Sequence, residues 1–128
     1  MTPIAAQLIE ARAKLSLVAR ENAGLEARVL AAHAWKMTPE ELVLYGYDAR
    51  DPSRLNTLIE RRMNAEPVAQ IIGEKHFWRD VFKVSSDVLT PRADSETLIE
   101  ALLRARSDRG AAWRMLDLGT GSGCLMLS

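Results

Sequence analysis

The chain has 128 residues, 48% of them apolar, enough to bury the core of one ordinary domain or two small ones. Lysine plus arginine equals aspartate plus glutamate at 17 each, which leaves no net charge with which to grip nucleic acid or an anionic membrane. The single cysteine, Cys124, excludes an internal disulfide and a cysteine metal cluster, and no run approaches the roughly 18 apolar residues of a membrane span.

Met1-Thr2-Pro3-Ile4 lacks the basic leader of a signal peptide, so the expected location is cytoplasmic. Ile4, Leu8, Ala11, Leu15 and Val18 recur every three or four positions and predict an amphipathic helix over Ile4–Arg20. Leu25, Val29, Ala32 and Trp35 predict a second helix, starting near Asn22 or Gly24. Thr38-Pro39-Glu40-Glu41 reads as a capping box opening a short helix through Leu42, Val43 and Leu44. Asp51-Pro52 repeats the start signal, with Leu55, Leu58, Ile59 and Met63 on one face of a fourth helix. The adjacent Arg61 and Arg62 read as a solvated helix face. Short helices in close succession imply a small bundle, because each must bury its stripe against a neighbour.

Glu66-Pro67 ends the bundle, since proline disfavours helical geometry in the residue before it. Val68–Ile72 and His76–Val84 are rich in branched and aromatic residues, punctuated by Gly73 and Arg79-Asp80, and predict a β-hairpin or short meander. After Pro91, Asp94 is placed to cap a helix carrying Leu98, Ile99, Leu102 and Leu103. Arg109-Gly110 marks a turn, and Trp113–Leu118 reads as an apolar strand running into a glycine loop. Trp35, Trp113 and the Phe77-Trp78 pair read as core or as the apolar face of the hairpin, with Phe77-Trp78 alternatively flanking a ligand. Cys124 reads as a small buried residue. His33 and His76 have no partners at useful spacing, and no residue is assigned a catalytic role.

Asp117-Leu118-Gly119-Thr120-Gly121-Ser122-Gly123 is the most informative stretch. Glycines at alternate positions after an apolar strand allow a tight turn and close approach of backbone to a ligand. A dinucleotide fingerprint needs a sixth-position glycine, where this chain has Cys124, and a phosphate-binding P-loop needs a lysine that is absent. An acidic residue followed by alternating glycines instead resembles the first motif of class I S-adenosylmethionine-dependent methyltransferases. The competing reading is an ordinary glycine-rich turn in an α/β protein.

Further motifs sharpen the class. Glu66-Pro67-Val68-Ala69-Gln70-Ile71-Ile72-Gly73, Phe77-Trp78, Val88-Leu89-Thr90-Pro91-Arg92-Ala93-Asp94-Ser95-Glu96 and the glycine loop follow one another as in the HemK/PrmC family. These enzymes methylate the side-chain amide of a glutamine in class I peptide chain release factors. Thr90, Ala93 and Gln70 depart from the isoleucine, proline and aromatic residue usual there, and Ser95 replaces a threonine while keeping the hydroxyl. The resemblance implies an α + β chain: a helical substrate-recognition domain over 1–65, a β-hairpin linker over 66–90, and the start of a truncated Rossmann-like methyltransferase domain over 91–128. It implies S-adenosyl-L-methionine as cofactor, held by Asp117, Gly119, Thr120, Gly121, Ser122 and Gly123 together with Arg92 and Ser95. For Arg92 and Ser95 the alternative is purely local: Pro91-Arg92 ends a strand, and Asp94 or Ser95 caps the next helix.

In the family an N-P-P-Y motif orients the acceptor amide, and these 128 residues contain none. The resemblance therefore implies a chain that is inactive alone, acting as a monomer with release factors as partners and no direct nucleic-acid contact. Two other readings stay open: a non-catalytic helical module that binds release factors, and a related amino-group methyltransferase acting on nucleic acid.

Overall fold

The computed structural model describes residues 1–106, 108 and 110–128. The chain is mixed helix and sheet, divided into two compact units, Met1–Ile72 and Gly73–Ser128.

In the first unit a two-residue strand β1 (Thr2–Pro3) leads into helix α1 (Ile4–Ala19), a 3-10 turn over Arg20–Asn22, and helix α2 (Ala23–Trp35). Helix α3 (Pro39–Leu44), strand β2 (Ala49–Arg50), helix α4 (Ser53–Met63) and helix α5 (Val68–Ile72) follow. Helices α1, α2 and α4 pack on one another, with α3 and α5 against α2. Their core holds Ile4, Leu15, Leu30, Leu42, Leu55 and Ile71, with five alanines among its buried residues.

The stripe expected on α1 holds at Ile4, Ala11 and Leu15, with Leu8 half-buried, but Val18 is exposed and Gln7 is buried. Gln7 Nε2 donates to the carbonyls of Thr2 at 2.7 Å and Arg50 at 2.8 Å, tying the helix to the β1–β2 ribbon in which Thr2 faces Arg50. These two bonds offset the cost of burying the NH2 group, while Gln7 Oε1 is buried without a partner. On α2 the expected face holds in part, Ala32 and Trp35 packing against the core. Leu25 is exposed, and Ala23, Ala27, Leu30, Ala31 and Ala34 are buried instead, because small side chains allow neighbouring helices to approach closely. The capping box at α3 forms as predicted: Glu41 N donates to Thr38 Oγ1 at 3.2 Å, and Thr38 N donates to Glu41 Oε2 at 2.8 Å. At α4, Asp51 Oδ1 accepts from Ser53 N at 3.1 Å and from the Ser53 hydroxyl at 2.8 Å.

Val68–Ile72, expected as strand, is helix α5. Val68, Ile71 and Ile72 stand at helical spacing against the core, and Pro67 O accepts from Gln70 N and Ile71 N, so the first turn closes immediately after the proline. Arg61 and Arg62 are both ion-paired rather than simply solvated. Arg61 holds Glu66 through two bonds of 2.9 and 2.6 Å, and Arg62 reaches Glu26 on α2 at 2.9 Å.

The second unit opens with the hairpin of β3 (Glu74–Phe77) and β4 (Asp80–Lys83), antiparallel with Phe77 facing Asp80. Its turn is Trp78-Arg79, one residue earlier than expected. A 3-10 turn over Ala93–Ser95 leads to helix α6 (Glu96–Ala105), and helix α7 (Cys124–Leu127) follows the glycine loop. Phe77, Phe82 and Ile99 form this unit's small core, with Trp78, Leu103, Cys124 and Leu125 packed against it. The strand expected over Trp113–Leu118 does not form: the segment is irregular and in no ladder, and a strand without a neighbour leaves its amides unpaired. Trp113, expected in a core, is half exposed, its indole N–H donating to Asp108 O and its ring lying 4.6 Å from the Arg106 guanidinium carbon. Of the predicted turn at Arg109-Gly110, Arg109 lies outside the described residues, and Gly110 N donates to Asp108 Oδ1.

Candidate functional site

The glycine loop is built by backbone conformation. Gly119, Gly121 and Gly123 have φ of 67°, 56° and 78°, so each occupies the left-handed region that residues with a Cβ avoid. Between them the chain folds back on itself: Gly123 N donates to Thr120 O at 2.8 Å, and Gly123 O accepts from Leu127 N at 3.0 Å to start α7. A side chain built at Gly119 would meet nothing within 4 Å, one at Gly121 would touch Val88 Cγ1 at 3.6 Å, and one at Gly123 would press on Leu127 Cδ1 at 3.3 Å. The loop therefore presents bare backbone that is open over Gly119 and backed by Val88 and Leu127.

Two oxygens in this stretch are enclosed yet have no hydrogen-bond partner: Asp117 Oδ2 and Ser122 Oγ. Enclosed polar atoms are nearly always paired, so these two oxygens stand out as unsatisfied, as Gln7 Oε1 does in the first unit. Asp117 also lines a cavity of about 140 Å³ with Leu98, Leu102, Met115 and Leu125. A larger cavity of about 530 Å³ lies against α6 and is lined by Leu102, Arg106, Trp113, Met115 and Met126 among others. No glycine of the loop lines either of these two cavities.

Arg92 and Ser95 stand at the entrance to α6. Pro91 is buried, Arg92 is exposed on extended backbone, and Arg92 O accepts from Ser95 N at 3.0 Å to form the 3-10 turn. Neither Asp94 nor Ser95 caps α6 through its side chain, against expectation. The Glu96 amide bonds to the carbonyls of Ala93 and Asp94, so the turn itself supplies the acceptors a cap would offer. Among the described residues no hydrogen bond joins the Arg92–Ser95 turn to the glycine loop. The loop and the turn are thus two separate groups of candidate ligands.

Glu96, which the family resemblance sets with Arg92 and Ser95 at the start of α6, was given no cofactor-binding role of its own. Its Oε1 accepts from the Trp78 amide at 2.7 Å, fastening the tip of the hairpin to the start of α6. Its signals in the sequence, the end of the Val88–Glu96 motif and a carboxylate in the first turn of a helix, point to the helix and not to the hairpin. Phe77 is buried as expected, and Trp78 packs against the same cluster. Cys124 is half-buried behind the loop. His33 and His76 are exposed, and no group of three potential metal ligands occurs among the described residues. No helix among the described residues is long and apolar enough to cross a membrane.

Comparison with known proteins gives this geometry a context. Residues 7–73 match the PrmC N-terminal domain. A release factor glutamine methyltransferase of Rhodospirillum rubrum is 38% identical over 118 residues, covering 90% of this chain and 36% of that protein. Proteins of the same name from Caulobacter vibrioides and Bradyrhizobium diazoefficiens are 37% and 34% identical, covering 84% and 98% of this chain. The match takes in 38% and 46% of those two relatives, so the chain spans less than half the length of the proteins it resembles.

Proposed function

The chain belongs to the PrmC N-terminal domain family, and from that membership we propose that it serves S-adenosylmethionine-dependent methylation of a glutamine side-chain amide in class I peptide chain release factors. In this reading residues 1–65 recognise the release factor, 66–90 link, and 91–128 begin the methyltransferase domain. The observation that carries it is the left-handed glycine backbone of Gly119–Gly123, open over Gly119, together with the unpaired oxygens of Asp117 and Ser122.

These residues suit the cofactor. S-adenosylmethionine, when bound, supplies an electrophilic sulfonium methyl. The backbone from Gly119 through Thr120 to Gly121 would accommodate its methionine part, the Asp117 carboxylate would accept from its ammonium group, and the Ser122 hydroxyl would donate to or accept from its polar atoms. Arg92 and Ser95 orient the start of α6 toward it. No residue of the chain is assigned the chemical step. An amide is a poor nucleophile and must be aligned by acceptors for its N–H groups, and the N-P-P-Y motif that does this in such enzymes does not occur in these 128 residues. A second reading, a helical module that binds release factors without catalysis, is favoured by the separate core of Met1–Ile72. Balanced charge counts against a nucleic-acid substrate.

The test is a graft. The 128 residues replace the matching part of the Rhodospirillum rubrum relative, and the chimaera is incubated with labelled cofactor and a class I release factor. Transfer that disappears when the acceptor glutamine is replaced supports the reading; transfer that persists on that variant rejects the substrate. Release-factor binding without cofactor binding favours the module.

A further inference from the structure

The bond between the Trp78 amide and Glu96 Oε1 spans 18 positions of sequence and is part-buried. Trp78 opens the two-residue turn of the hairpin at φ 55°, an unusual conformation for a bulky side chain. Its amide lies outside the ladder, whose last pair is Phe77 and Asp80, so it needs an acceptor from elsewhere. The carboxylate that meets it makes a charge-assisted bond, which the 2.7 Å distance reflects. Glu96 is also the first residue of α6, where the helix dipole favours a negative charge. One side chain therefore serves the turn and the helix together.

The hairpin carries Phe77 and Phe82 onto Ile99 of α6, their rings edge to face at 6.2 Å. The turn that bears Arg92 and Ser95 is short and lies between the buried Pro91 and the fastened Glu96. Anything that loosens Glu96 frees one end of that turn.

We infer that Glu96 is a positioning residue for the cofactor. By fastening the tip of the hairpin to the start of α6 it sets where the Arg92 guanidinium and the Ser95 hydroxyl stand, without touching the cofactor itself. This rests on the reading of Arg92 and Ser95 as cofactor-facing.

The test uses the chain with Glu96→Ala, Glu96→Gln and Glu96→Asp. Amide exchange at Trp78 reports the bond, dialysis against labelled S-adenosylmethionine reports affinity, and circular dichroism reports folding. Glu96→Ala is expected to speed Trp78 exchange and raise the cofactor Kd, each about ten-fold, the scale of one lost charge-assisted bond. Glu96→Gln keeps an acceptor in place and should hold both changes under about three-fold. If Glu96→Ala does not fold, Glu96→Asp, which keeps the charge but shortens the reach, is expected to shift both readings in the same direction. Faster Trp78 exchange with an unchanged Kd in the folded variant overturns the inference and leaves Glu96 as a fastening of the hairpin only. A wild-type chain that binds no cofactor overturns the reading of the site and the inference with it, while Trp78 protection still reports whether the bond exists.

Discussion

Gly121 is a position where backbone conformation, not packing, sets what a side chain would cost. An alanine there would meet only Val88 Cγ1 at 3.6 Å, an ordinary contact, so any penalty comes from the backbone at φ 56° and not from a clash. Left-handed geometry costs an L residue about 1–2 kcal/mol, and Gly121→Ala should accordingly weaken cofactor binding about ten-fold with the helical content unchanged, as dialysis and circular dichroism would show. Thr38→Ala removes one side of the capping box and should cost about 1 kcal/mol in urea unfolding, with Thr38→Ser largely neutral. The Ser53 amide, and after it the Ser53 hydroxyl, hold the Asp51 carboxyl below its ordinary 3.8, and hydrogen bonding to Arg61 holds Glu66 below its ordinary 4.5. Both groups ionise more readily folded than unfolded, so their contribution is complete above about pH 5 and fades as pH falls through the lowered values. Unfolding midpoints measured between pH 6 and 3 should fall, and Asp51→Asn with Glu66→Gln should flatten the decline. Thr38 and Asp51 were legible because donor and acceptor lie within three residues of each other. Glu96 was not, because its partner is on another element.

The faces of the helices were legible only where side-chain size marked them. On α1, bulky Ile4 and Leu15 stand out, but Gln7 looks polar until Thr2 and Arg50 are brought beside it. On α2, Leu25 and Trp35 suggested a stripe; Trp35 does pack against the core, but Leu25 is exposed and the alanines around Leu30 are buried where three helices meet. Leu30→Ala should therefore cost about 2–5 kcal/mol, against less than about 0.5 for Leu25→Ala in the same denaturation series. The Arg62–Glu26 pair joins α4 to α2 with both side chains 18% exposed, whereas Lys14–Glu10 is open to solvent on one helix. A double-mutant cycle should give a coupling of about 1 kcal/mol or more for the first pair and at most about 0.5 for the second. Helix α5 was misread because its β-branched residues suggested a strand, although Val68, Ile71 and Ile72 already stood at helical spacing.

The two units differ in how much core holds them. Three packed helices enclose the core of Met1–Ile72, while Gly73–Ser128 closes on little more than Phe77, Phe82 and Ile99. Hydrogen exchange should show the amides of α1, α2 and α4 opening only with their whole unit, and those of Trp113–Leu118, which belong to no ladder, exchanging within about ten-fold of an unstructured chain.

Read alone, the chain announced the capping box of α3, its helical beginning, the hairpin and the glycine loop, since each depends on contacts within a few residues or on a conformation only glycine adopts easily. Assembly settled the rest: which face of α2 is buried, that α5 coils, that Trp113–Leu118 stays unladdered, and that Glu96 reaches Trp78. Those outcomes turn on burial and on partners distant along the chain, and no local pattern of residues encodes a neighbour that arrives only on folding.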